Sequence, residues 1–252
     1  MSPTRRTPPI AGMTITTTTL TRAAGVAAVV GGLLYIGVQI KHPNLDLALI
    51  STTEWKVRQT MKVLFASLSL AGITGMYLRQ VTRTGVLGLI GYLVLATGFL
   101  TMLSTEVIGL VVVPTIAGTS PGYVTDILAV AVPGGHATGD LGLMGPLSQV
   151  VGVSYLAGGL IFGIALFRAR ILARWAAALL AVGAVTTLAI PLVPQVNFRL
   201  FAIPTGVALV GLGHSLWRDQ RALDARTVPS PVSSQLDPAG LDPAGFDPAG
   251  AM

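Results

Sequence analysis

Between Arg83 and Glu106 the chain reads TGVLGLIGYLVLATGFLTMLST (residues 84–105), 22 residues without a charge. A helix rises about 1.5 Å per residue, so this run is long enough to cross the roughly 30 Å hydrocarbon core of a bilayer. Composition agrees with that reading. The 252 residues are 52% hydrophobic and only 10% charged, with a mean hydropathy of +0.74. A soluble domain carries about 25% charged residues to keep its surface in water. Too few charges are present to cover a globule, and lipid is the natural solvent for most of this surface.

The neighbouring runs follow the same logic. Upstream, residues 63–78 lie between Lys62 and Arg79, and the 18 uncharged residues 23–40 lie between Arg22 and Lys41. The run 63–78 is short, so its flanking cations must snorkel. A cleaved signal peptide competes for the first run, but it wants a shorter apolar core and a small-residue cleavage site. This run ends instead in Gln39-Ile40-Lys41-His42-Pro43. Downstream, 141–167 stops at Arg168, with a helix start expected near Pro146, 175–193 follows Arg174, and 200–217 precedes Arg218. The expected fold class is all-α: a polytopic transmembrane helix bundle of about six helices, near 23–40, 60–79, 84–105, 146–167, 174–193 and 200–217. These make one domain, 22–218, between a disordered leader (1–21) and a disordered tail (219–252). Met13 is a second candidate start. The stretch after Glu106, 107–132, is apolar enough to hide a re-entrant or additional helix.

Charge sets the expected orientation. With the N-terminus inside, eleven of the 16 Lys and Arg fall on the cytoplasmic side: Arg5, Arg6, Arg22, Arg79, Arg83, Arg168, Arg170, Arg174, Arg218, Arg221 and Arg226. Lys41, Lys56, Arg58, Lys62 and Arg199 fall outside, and the long connection 114–145 has no Lys or Arg. The positive-inside rule therefore favours N-in/C-in, in a bacterial cytoplasmic (inner) membrane. The basic residues sit in ones and twos at the ends of apolar runs, so nucleic acid is not an expected partner. Leader and tail are polar and low in complexity. The tail closes on three copies of a pentapeptide, Leu236-Asp237-Pro238-Ala239-Gly240 and its repeats, whose regularly spaced prolines forbid regular helix.

Lipid gives helices no hydrophobic reason to associate, so packing rests on small residues. Ala28 and Gly32, Gly159 and Gly163, and Ala177 and Ala181 are each four apart, and Gly85, Gly88 and Gly91 form a smooth face. They suit a bundle within one chain or a homodimer. An internal echo, Gly25-Val26 with Gly31-Gly32 against Gly152-Val153 with Gly158-Gly159, reads either as an inverted repeat or as coincidence.

Glu106 is the candidate catalytic residue, since apolar sequence flanks it on both sides. A carboxylate there is costly unless protonated, hydrated or paired. If the helix stops near Thr105, Glu106 caps its outer end; if it continues to Val113, Glu106 faces the bundle. Asp126, His136 and Asp140 in the outer connection are the candidate binding residues. A His with a carboxylate can hold a metal or move a proton. The glycines around His136 deny a helix, one histidine makes a poor zinc site, and a solvated loop is the plain alternative; no metal site is expected. Glu54-Trp55-Lys56 to Lys62 reads as a headgroup anchor. No cysteine is present, which removes disulfides and thiolate chemistry. No phosphate loop, His-Glu-x-x-His or nucleophile elbow occurs, and no cofactor is expected.

The stretch 155–189, with Gly158-Gly159-Leu160-Ile161-Phe162 and Arg168-Ala169-Arg170-Ile171-Leu172-Ala173-Arg174-Trp175, resembles uncharacterised six-helix membrane proteins of high-GC, actinobacterial-type bacteria. Glu106 with its apolar run to Pro114 adds to the resemblance, which covers about residues 20–220. It implies a fold and no activity. Three functions stay open. One is binding or permeation of a small apolar or amphipathic molecule within the bundle. Another is a membrane-embedded enzyme using Glu106 as acid or base, assisted by Asp126, His136 or Asp140. The third is an accessory or structural subunit with a membrane partner. The lipid bilayer is the expected surrounding in each.

Overall fold

The computed structural model describes residues 16–132, 134–192 and 198–227, and among these it is all-α with eight α-helices. The expected leader and tail lie outside the described residues, apart from 16–21 and 219–227. Helix α1 (Thr17–Gln39) starts before the apolar run because the Thr16 hydroxyl accepts the N–H of Thr19 at 3.2 Å, an N-cap. At its other end Arg58 donates to the carbonyls of Val38 (2.8 Å), Ile40 (3.3 Å) and Lys41 (2.9 Å). One guanidinium thus satisfies carbonyls that the helix leaves unpaired.

A single-turn helix, α2 (Leu47–Ile50), is capped by Asp46, and Thr52 caps α3 (Thr53–Val111). Helix α3 is a hairpin. Gly85, at φ 56° and ψ −153°, breaks it, a conformation open to a residue without Cβ. The arms 53–84 and 86–111 then pair along their length. Trp55 Nε1 donates to the Gly109 carbonyl at 3.0 Å, Phe65 meets Phe99 edge-on at 5.7 Å, and Tyr77 stacks on Tyr92 at 4.7 Å. Gly85 is therefore the turn, while Gly88 and Gly91 belong to the packing face.

Beyond α3 come α4 (Val113–Ile116), α5 (Pro121–Val130), α6 (Met144–Ala169), α7 (Arg174–Thr186) and α8 (Ile203–Thr227). Two 3-10 turns, Thr187–Leu192 and Phe198–Ala202, join the last two helices. The α-helical part of α7 ends where Thr186 and Thr187 turn their hydroxyls back to the carbonyls of Gly183 and Ala184, with Pro191, which has no N–H, just beyond. Among the described residues, four helices are long and apolar enough to cross a membrane: α1, α3, α6 and the 25-residue stretch Arg199–Leu223. The chain is thus built as a multi-pass helical membrane protein.

The long elements form a closed ring. In order around it stand α1, the first arm of α3, its second arm, α6, α7 and α8, each antiparallel to its neighbours. Glycines set the close approaches. A Cβ at Gly72 would strike Ala28 of α1, one at Gly91 would strike the backbone of Phe162 in α6, and one at Gly163 would strike α7 at Ala181. Arg79 of α3 also reaches Asp219 of α8 at 2.7 Å, tying together the two neighbours of α1.

The internal echo now has a packing cause. Gly31 faces the first arm of α3 at Ser69, and Gly32 faces α8 at Gly206. In α6, Gly158 faces the second arm at Leu95, and Gly159 faces α7 at Ala184. The correspondence matches the first arm, which follows α1 in the chain, to the second arm, which precedes α6, and it matches α8 to α7. Tandem duplication of three helices would preserve the chain order. Consecutive residues on a helix point about 100° apart, so a glycine pair suits any helix wedged between two others.

One end of the ring carries Arg79, Arg83, Arg168, Arg170, Arg174, Arg218 and Arg221. The other carries α2, α4, α5 and the long connections. These are the arginine end and the loop end of the ring. The ring's centre is filled toward the arginine end by Phe65, Met76, Phe162, Leu209, Leu212 and Leu216, all buried. A second, smaller core at the loop end joins Leu49, Ile50, Trp55, Val113, Val124 and Leu128, and it fixes the cap formed by α2, α4 and α5.

Candidate functional site

Between the filled centre and the loop-end cap lies a cavity of about 720 Å³, lined by α3, α6 and the segments 127–132 and 134–137. That is within the ~300–1,000 Å³ typical of small-molecule sites. Helix α3 runs to Val111, so Glu106 lies within it and its side chain faces the cavity rather than capping the helix. Its Oε2 accepts a hydrogen bond from Gln59 Nε2 at 2.9 Å and lies 3.5 Å from Lys62 Nζ. Among the described residues Oε1 has no protein partner. The expensive carboxylate is thus paired, by groups on the opposite arm of its own hairpin.

The arrangement follows from helix geometry. Trp55, Gln59 and Lys62 are spaced i, i+4, i+7 and share one face of the first arm; Met102, Thr105, Glu106 and Gly109 share one face of the second. Gly109 leaves the space that the Gln59 amide occupies, since a Cβ there would fall on Nε2. Trp55 fixes the spacing of the arms through its bond to the Gly109 carbonyl, and it is buried rather than anchored at a surface.

A second polar group stands nearby in the ring. The Tyr155 hydroxyl donates to Thr205 Oγ1 at 2.7 Å, joining α6 to α8, and Tyr35 of α1 interacts with Tyr155 and feels the charge of Glu106. Tyr35 also stacks on Phe65 at 4.2 Å. Ser148 and Gln149 of α6 line the cavity opposite the Glu106 face.

The other candidate residues part company. His136 lines the cavity with Glu106 and is exposed at its rim. Asp126 is buried in α5 and turned away from the cavity. It accepts from the Thr138 N–H (2.9 Å), the Thr138 hydroxyl (3.1 Å) and the Gly139 N–H (2.8 Å). Those hydrogen bonds hold its carboxyl below the ordinary carboxylate range. Asp126 pins the connection that presents His136. Asp140 is exposed and accepts the Gly142 N–H at 2.7 Å, a local turn. Among the described residues no three of His, Asp and Glu converge on a point where a metal could sit.

Gln59 and Lys62 were not legible as site residues, because a cationic segment at the foot of an apolar run reads as an anchor. Their i, i+3 spacing on one helix face was the signal available. Fold and site define a multi-pass helical membrane protein with a cavity at one end that holds a paired carboxylate. No family model, curated protein or solved structure matches the chain.

Proposed function

We propose that this protein crosses the membrane six times, with its arginine end in the cytoplasm, and binds a small amphipathic molecule in the loop-end cavity. The observation that carries the binding is Glu106, paired with Gln59 and Lys62 on the wall of an otherwise largely apolar cavity. Binding is favoured over free permeation because buried side chains fill the ring's centre between the cavity and the arginine end. The six crossings are α1, both arms of α3, α6, α7 with its following 3-10 turn, and α8. Helix α7 is short, but it stands between α6 and α8, and six alternating directions return both termini to one side.

Glu106→Gln removes the charge and keeps the shape. With the purified chain in vesicles, amphiphile binding read by photolabelling is expected to fall about tenfold or more, as when one member of a partly buried pair loses its charge. Unchanged labelling would sink the reading. A second reading, acid–base chemistry on the bound molecule, is favoured by His136 lining the same cavity. It requires His136→Gln to abolish turnover while leaving binding intact.

A further inference from the structure

We infer that the head of the bound amphiphile is zwitterionic, its cation set against Glu106 and its anion against Lys62, with the apolar body along α6. This rests on the cavity-binding reading above. Three titratable side chains line the cavity among the described residues: Lys62, Glu106 and the exposed His136. The first two are of opposite sign and 3.5 Å apart, and both are largely covered.

Each keeps unused capacity on the cavity side. Glu106 spends only Oε2 on protein partners, and Lys62, with three N–H donors, has Glu106 as its one partner among the described residues. A purely cationic head drawn to Glu106 meets the Lys62 ammonium at close range, and a purely anionic head drawn to Lys62 meets the carboxylate. Such like-charge contacts weigh heavily where water is excluded. An uncharged apolar molecule would cover Oε1 and the ammonium without replacing their water, which also costs. A head with adjacent opposite charges satisfies both groups and leaves the site neutral. Its body then has Met102 of α3 and Met144, Gly152 and Val153 of α6 to lie against. Gly145 and Gly152 have open space where a Cβ would stand, so this wall presents little side-chain bulk.

The test uses the full chain in vesicles and single-chain probes with one photoreactive alkyl tail. Their heads are a carboxybetaine, a phosphoethanolamine, a trimethylammonium, a sulfate or a plain hydroxyl. Cross-linking to the cavity wall of α6 is expected to favour the two zwitterions about tenfold over the other three. Preference between those two separates an amino-acid-like amphiphile from a phospholipid-like one. Lys62→Met should shift selectivity toward the trimethylammonium probe, and Glu106→Gln toward the sulfate. Misfolding cannot produce two opposite shifts. Equal labelling by all five heads, or selectivity unmoved in both variants, overturns the inference while leaving cavity binding in place. No cavity labelling by any probe overturns the binding reading itself, and this inference with it.

Discussion

Gly109 shows how little separates a paired carboxylate from a stranded one. Its missing Cβ is the space in which the Gln59 amide reaches Glu106, and its carbonyl is what Trp55 holds. Gly109→Ala would meet the far end of a flexible side chain, so the backbone has no need to move. The expected result is a Gln59 turned away from Glu106: ligand photolabelling drops several-fold, while the melting temperature in detergent changes by only a few degrees, about 1 kcal/mol or less. Labelling equal to the parent protein would show that Gln59 has no part in the site. At the same scale His42, in the connection after α1, is half-buried and faces Arg58, Lys62 and Arg199. Burial, and then those cations, lower its pKa from 6.5 to about 4, against the opposing pull of the Pro43 carbonyl at 2.8 Å. The unfolded chain therefore takes up a proton first as pH falls. His42 makes no pH-dependent contribution above about pH 6.5, and stability is lost as pH drops toward 4. Thermal unfolding at pH 7 and pH 5 should show a drop that His42→Gln reduces; an identical drop in the variant counts against this assignment. Glu106 itself stood out in the sequence because it is a charge amid apolar residues. Its partners did not, since reading Lys62 as anything but an anchor requires knowing that two apolar runs fold against each other.

At the scale of elements, the apolar runs were legible but their ends were not. Capping by Thr16 and Thr52 extends α1 and α3 beyond the hydrophobic stretch, and the hydroxyls of Thr186 and Thr187 end the regular part of α7 early. Those are local hydrogen bonds, to which hydropathy is blind. The hairpin was hidden for a related reason: Gly85 sits in a series with Gly88 and Gly91, and nothing in that spacing says which one takes a positive φ. What the glycines do in the ring leads to a clear contrast. At Gly158 a Cβ would enter the backbone of Leu95, and at Gly91 that of Phe162, whereas Gly118 has open space around it and no unusual φ. Gly158→Ala and Gly91→Ala are each expected to destabilise by about 1–3 kcal/mol through forced separation of α3 and α6. Gly118→Ala should leave unfolding within about 0.5 kcal/mol of the parent. Equal melting temperatures for all three would mean that the second arm of α3 and α6 do not approach as closely as the ring requires.

For the whole molecule, the same charges that mark the ends of helices are the ground for the proposed orientation of the ring. The arginine end gathers Arg79, Arg83, Arg168, Arg170, Arg174, Arg218 and Arg221, and the loop end, with its connection free of Lys and Arg from 114 to 145, holds the cavity. Short connections rich in Lys and Arg resist translocation, whereas long ones poor in them cross readily. In the proposed orientation the cavity faces away from the cytoplasm, and the proposed ligand would arrive from outside or from the outer leaflet. Because the chain contains no cysteine, single-cysteine labelling has no background. Ser120→Cys at the loop end should react with a membrane-impermeant maleimide in intact cells. Ala222→Cys should react only after permeabilisation. Leu200→Cys, just beyond α7, decides whether that short helix crosses: labelled like Ser120 it supports six crossings, and labelled like Ala222 it reduces them. Both other positions exchanging sides would invert the protein and place the Glu106 cavity toward the cytoplasm, where a cytoplasmic amphiphile would become its ligand.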